Sequence, residues 1–185
     1  MEQKIYLQEK ERSIVPFLNA LAAIMVTASL GLFFAQTLFF SVKTASRSME
    51  PSVPADSVIF VNRMSYSFRK PERFHVVAFR RNDYSKDVLV RRIVGLPGET
   101  IRIYRGEVTV NGEKIDISPY ISEITSDGIA SDGIRLGEGE YFLLGDSPAN
   151  SEDSRSSTIG VVKEEQLFGR AWVLFQTITK VQLIR

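Results

Sequence analysis

Residues 13–42, SIVPFLNALAAIMVTASLGLFFAQTLFFSV, run for 30 positions without a charged side chain. A helix rising 1.5 Å per residue crosses the hydrocarbon core of a bilayer in about 20 residues, so this run is long enough to span a membrane. A secretory signal sequence has an apolar segment of only about 7–15 residues, and a helix buried in a soluble core carries charges along its outer side. Pro16 lies near the start of the run, where a helix tolerates it. The run therefore reads as a retained transmembrane anchor. It divides the chain into a short N-terminus (1–12), the anchor (13–42) and a larger domain (43–185).

The flanks suggest an orientation. Lys4, Lys10 and Arg12 precede the run, and Lys43 and Arg47 follow it. Acidic residues count little in the positive-inside rule, so the N-terminus is expected in the cytoplasm and residues 43–185 outside. The expectation is a single-pass protein of the cell membrane, in contact with lipid. Its outer part carries 20 basic and 19 acidic residues, and the whole chain has a net charge of +1. Without a basic excess to neutralise phosphates, nucleic acid is not an expected partner. There is no cysteine, which removes disulfides, thiolate metal sites and cysteine nucleophiles together. The single histidine, His75, rules out a histidine-rich metal centre, and neither metal nor cofactor is expected.

The outer domain reads as all-β. Residues 57–62, 75–80 and 88–95 are short and rich in β-branched side chains, while 100–104 and 107–111 alternate around Arg105-Gly106, a hairpin signal. Asn111-Gly112 marks another turn before 113–115, and 141–144 and 170–175 complete the strands. No amphipathic helix of ten residues follows the anchor. Residues 118–140 contain Pro119 and many Ser, Gly and Asp, and are expected to form a long loop or insertion.

Three clusters carry candidate chemistry. The first, Ser46-Arg47-Ser48-Met49-Glu50-Pro51-Ser52, comes just after the anchor, where a hydroxyl could meet a scissile bond at the membrane surface. Ser46 could donate a hydrogen bond to a developing oxyanion alongside the Ser48 backbone N–H. The second, Arg91-Arg92-Ile93-Val94-Gly95-Leu96-Pro97-Gly98-Glu99, is a strand ending in a tight turn. The third runs from Gly145-Asp146 to Ser151-Glu152-Asp153-Ser154-Arg155, a polar loop after the apolar strand YFLL. Taken singly, each also fits an ordinary turn or solvated loop.

In this order, behind an N-terminal anchor, the clusters resemble those of type I signal peptidases, the membrane-anchored serine peptidases that remove signal peptides from exported proteins. The resemblance runs from about Ser13 to the end of the chain, outside 118–140. It implies an all-β fold of mixed or antiparallel sheets with one N-terminal transmembrane helix, and an apolar face resting on the membrane. It also implies that Ser48 is the nucleophile and Ser46 helps bind the oxyanion. Arg92 matches the arginine of the second motif. Gly145, Asp146, Ser151, Asp153, Ser154 and Arg155 match the third, with Asp153 expected to pair with both Arg92 and Arg155, and Ser151 to orient a catalytic group.

One departure stands at the centre of the resemblance. The family's general base is a lysine immediately before the motif's arginine, and this chain has Arg91 there. A buried lysine can lose its proton, whereas an arginine, with a pKa of about 12.5–13.8, stays charged. Lys86 lies five residues away at an odd spacing, facing the other side of a strand. His75 lies 16 residues before Arg91, in the strand HVVAF. The third cluster also departs from the family's Gly-Asp-Asn-x-x-Asn-Ser, with Ser147-Pro148-Ala149 where that pattern has its first Asn and the two positions after it. Two function classes follow. One is a membrane serine endopeptidase cutting exported precursors. The other is a catalytically silent homologue that keeps the anchor and groove and binds exported or surface proteins, for example in pilus assembly.

Overall fold

The computed structural model describes residues 2–81, 87–177 and 180–184, in two units, Met1–Leu38 and Phe39–Arg185. Lys86, five residues before Arg91, lies outside the described residues.

The first unit is one helix, α1 (Glu2–Leu38). Within it, the 21 residues Ile14–Phe34 are long and apolar enough to cross a membrane. At 1.5 Å per residue they cover about 32 Å, close to the thickness of the hydrocarbon core. The Thr27 hydroxyl donates to the carbonyls of Ala23 and Ile24, so the helix satisfies its own polar side chain there. Pro16 is not at the helix start but inside it, because the helix already begins at Glu2. The apolar run also does not end as helix. Its last four residues belong to a strand, β1 (Phe39–Lys43).

The second unit is all-β, and among the described residues every strand pair is antiparallel. After β1 come β2 (Val58–Asn62), β3 (Val76–Arg80), β4 (Val88–Gly95), β5 (Thr100–Tyr104), β6 (Glu107–Val110) and β7 (Glu113–Lys114). Then follow β8 (Ile134–Arg135), β9 (Glu140–Leu144), β10 (Val162–Lys163), β11 (Leu167–Thr177) and β12 (Lys180–Leu183). The larger sheet has the order β1-β2-β11-β3-β4-β9-β10, with β12 also paired to β11; the smaller is β7-β6-β5-β8. Arg105-Gly106 and Asn111-Gly112 have positive φ at both residues, the backbone that a two-residue hairpin needs. The Asp127 carboxylate accepts from the N–H groups of Arg105 and Gly106, tying the segment 118–140 to the first of these turns.

That segment has structure of its own. It contributes a 3₁₀ turn, Gly128–Asp132, and strand β8, and it buries Ile121, Ile124, Ala130 and Leu136. These join Ile101, Ile103, Phe142 and Leu144 in the core beneath the smaller sheet. A second core packs Val42, Ile59, Val61, Val76, Ala78, Val90 and Leu174 on one side of the larger sheet. Residues 58, 60, 173, 175, 181 and 183 pair across β2, β11 and β12 on its opposite face. There Trp172, Phe175, Val181 and Leu183 are exposed, Phe39 stacks on Trp172 at 5.6 Å, and Phe60 meets Phe175 edge-on at 5.1 Å.

Candidate active site

Ser48 is held in place by its neighbour in sequence. Met49 is 2% exposed and Val53 fully buried in the core under the larger sheet, so the turn carrying Ser48 cannot lift away without exposing them. The Val53 N–H closes that turn onto the Met49 carbonyl at 2.7 Å. On the other side, the Ser48 carbonyl accepts from Ser147 N–H at 2.9 Å. Gly145 makes this junction possible. A Cβ there would stand 2.6 Å from the Ser48 carbonyl oxygen and closer still to the Ser151 hydroxyl.

Arg91 comes from β4, opposite Val77 of β3. It is 5% exposed, and its Nη1–H donates to Ser48 Oγ at 2.8 Å. The remaining bonds go to carbonyls: Nη1 to Val90 at 2.6 Å, and Nε and Nη2 to Glu152 at 3.0 and 2.7 Å. Burial pushes the Arg91 pKa down, and the carboxylates of Asp153 and Glu152 oppose that shift. A guanidinium has donors only. In this arrangement Ser48 accepts a hydrogen bond from the group that would have to take its proton.

The Ser46 hydroxyl accepts from Ser48 N–H at 3.1 Å. The two groups expected to donate together to an oxyanion are thus bonded to one another, and it is the hydroxyl proton of Ser46 that remains to be donated. Ser151 Oγ is shielded from solvent and has no hydrogen-bond partner among the described residues. It sits beside Ser48 without orienting another side chain.

The arginine pairings differ from expectation. Arg92, fully buried, bonds Asp146, also fully buried, through Nε–Oδ1 at 2.8 Å and Nη2–Oδ2 at 2.6 Å. Its guanidinium also donates to the Phe74 carbonyl and Ser52 Oγ and lies over the Tyr120 ring at 4.4 Å. Asp153 instead takes Arg155, through Nε at 2.8 Å and Nη2 at 3.0 Å, and accepts from Gly145 N–H. The expected bridge from Asp153 to Arg92 is replaced by two separate pairs, because β4 meets β9 at Arg92 and Leu144 and so carries Arg92 to the residues just after β9. Asp146 follows Leu144 by two residues, but residue order alone does not choose it over Asp153. Nor did the sequence carry a signal for the carbonyl of Glu152 or for the ion pair of its side chain with Arg81 at 2.6 Å.

A cleft of about 220 Å³ opens onto Ser48, lined by residues 42–46 and 88–91 together with Ser48 and Met49. Strand β9 pairs with β4 only from Arg92 onwards, so the β4 edge at 88–91 is not covered by it. His75 does not line this cleft. It lines another, of about 340 Å³, with Tyr66, Glu72 and Arg170. Its Nδ1 accepts from Glu72 N–H at 3.2 Å and lies 3.3 Å from the Tyr66 hydroxyl. Burial lowers the His75 pKa, and Arg170 lowers it further. Among the described residues, no group of three or more His, Asp or Glu side chains is placed to hold a metal.

The family described as signal peptidase, peptidase S26, matches residues 17–176. The relatives include "Probable signal peptidase I-2" of Synechocystis sp., 35% identical over 144 residues, which are 75% of this chain and 64% of that protein. Signal peptidase I of Bacillus caldolyticus is 31% identical, over 80% of this chain and 83% of its own length. Signal peptidase I V of Bacillus subtilis is 29% identical, over 78% and 90%. A crystal structure of a signal peptidase I from Enterococcus faecalis V583 is similar at a TM-score of 0.43 and 28% identity, covering 55% of this chain and 97% of that one.

Proposed function

This chain belongs to the signal peptidase family, peptidase S26, and from that membership we propose that it is a membrane-anchored binding groove for exported proteins whose peptidase chemistry Arg91 has silenced. The observation that carries this reading is the Arg91–Ser48 contact, in which Nη1–H donates to Oγ at 2.8 Å. Serine attack on a peptide carbonyl needs a base that accepts the Oγ proton. Arg91 occupies the position where the resemblance puts the lysine base, and it has no acceptor. His75 belongs to another cleft and offers no substitute.

What remains is suited to binding. The β4 edge at 88–91 and the chain at 42–46 flank a cleft in which an extended peptide adds as a strand. Backbone pairing needs no base. The partners in this reading are exported precursors, or surface-assembled proteins such as pilus subunits. Residues 14–34 anchor the chain, with the N-terminus cytoplasmic and the β domain outside, where the exposed face around Trp172, Phe175, Val181 and Leu183 rests on lipid.

One observation favours a second reading, a working endopeptidase with Ser48 as nucleophile. Ser48 is 3% exposed, pinned by Met49 and still facing the cleft. The two readings part on one experiment, incubation of purified full-length protein in detergent with a signal-peptide substrate carrying a photocrosslinker. The silent-groove reading expects crosslinks to residues 46–51 and no cleavage. Cleavage that Ser48→Ala abolishes would replace it with the peptidase reading, and crosslinks that avoid 46–51 would remove both.

A further inference from the structure

We propose that the cleft ending at Arg91 captures an extended peptide by its free C-terminal carboxylate. The proposal rests on the reading of this cleft as a peptide groove and names the end of the peptide that it takes.

Among the described residues, Arg91 is a buried cation without a directly bonded counter-ion. All four of its hydrogen bonds go to neutral oxygens, three to the carbonyls of Val90 and Glu152 and one to the Ser48 hydroxyl. The two carboxylates that act on its charge, those of Asp153 and Glu152, are already committed. Asp153 is bonded to Arg155, and the Glu152 side chain to Arg81. A buried charge without a bonded partner favours an arriving opposite charge more than an exposed one does, because water no longer screens it.

The neighbouring groups fit the same ligand. Ser48 Oγ accepts from Arg91, which leaves its own proton to be donated. Ser46 Oγ accepts from Ser48 N–H, which leaves its proton as well. Arg91, Ser48 and Ser46 all line the cleft. A guanidinium and two hydroxyl donors make a donor set for a carboxylate, whose two oxygens accept only. A lysine that worked as a base would be neutral here; a guanidinium keeps the positive charge at all relevant pH. A peptide laid along the β4 edge at 88–90 reaches Arg91 at the next residue. Its terminal carboxylate then lies where an uninterrupted chain would present only a neutral carbonyl.

The test compares two versions of one short, alanine-rich peptide, one ending in a free carboxylate and the other in an amide. Binding to full-length protein in detergent is followed by fluorescence anisotropy. The expected result is binding of the carboxylate form about 10–100-fold tighter. In Arg91→Gln that preference disappears, while the circular-dichroism spectrum and melting temperature show that the variant is folded. Equal affinity of the wild type for both ends would overturn the proposal and leave the groove standing. A preference that survives in Arg91→Gln would overturn it too. If the wild type binds neither peptide, both the carboxylate proposal and the groove reading fall.

Discussion

Arg92 and Asp146 form a two-pronged ion pair, at 2.8 and 2.6 Å, in which neither side chain has any solvent exposure. The pair joins β4 to the loop after β9, and so fixes the position of Arg91, the adjacent residue, against Ser48. Removing one partner of such a pair strands a charge in the interior and costs about 3–5 kcal/mol. Asp146→Asn is expected to lower unfolding stability by that amount, measured by denaturant titration of the full-length protein in detergent. A change under about 1 kcal/mol would mean that the other partners of Arg92, among them the carbonyl of Phe74, Ser52 and the Tyr120 ring, suffice to hold it.

Arg91→Lys is expected to create peptidase activity. A lysine there would meet the same desolvation that pushes the Arg91 pKa down, and an amine so placed can give up its proton where a guanidinium does not. General base catalysis contributes about 10²–10⁴-fold, so release of a mature fragment from a signal-peptide substrate should rise by that factor and grow with pH as the amine deprotonates. Adding Ser48→Ala should abolish the gain. If neither the wild type nor Arg91→Lys cleaves, a feature other than the missing base blocks the site, with Ser147-Pro148-Ala149 the first place to look.

Gly145 is expected to tolerate no side chain. The added methyl of Gly145→Ala would press on the Ser48 carbonyl and on Ser151, and overpacking of this kind costs about 1–3 kcal/mol. Since the strain falls on the turn carrying Ser48, crosslinking of a signal-peptide analogue to residues 46–51 should drop along with the melting temperature. Unchanged crosslinking would show that Met49 and Val53 hold the turn without the Gly145 junction.

His75 gives the domain a pH dependence of stability with a definite sign. Its pKa is lowered in the folded protein by burial first and by Arg170 second. The unfolded chain therefore binds the proton more readily. The associated stability is complete above the unfolded value, about 6.5, and is lost as pH falls from there through the lowered folded value. His75→Gln should flatten the stability profile in that window without altering peptide binding in the Ser48 cleft. A binding defect in His75→Gln would instead tie the two clefts together.

Orientation is testable on intact cells or spheroplasts. Protease added outside should digest the chain beyond residue 42 and spare residues 1–12. The opposite pattern would reverse the topology proposed here.

Several features could be read directly from residue order. An uncharged run of 30 residues could be read as a helix long and apolar enough to cross a membrane, and Arg105-Gly106 and Asn111-Gly112 could be read as hairpin turns because positive φ is a local demand. The three motif clusters and the family were also legible, since they rest on residue types at fixed spacing. Chain order could not say where the apolar run stops being helix. Residues 39–42 are as apolar as what precedes them, and they become β1 only because β2 pairs with them. Nor could it show that 118–140, rich in loop formers, would bury four side chains beneath the smaller sheet. The carboxylate taken by Arg92 was likewise hidden. Asp146 and Asp153 stand in the same loop, and the β4–β9 register, a contact between distant segments, decides between them. His75 and Ser48 show the same limit, because which cleft a side chain enters depends on the strands packed around it. Local conformation is set by neighbours along the chain, whereas charge pairing and site membership are set by neighbours across the sheet, which only the folded structure brings together.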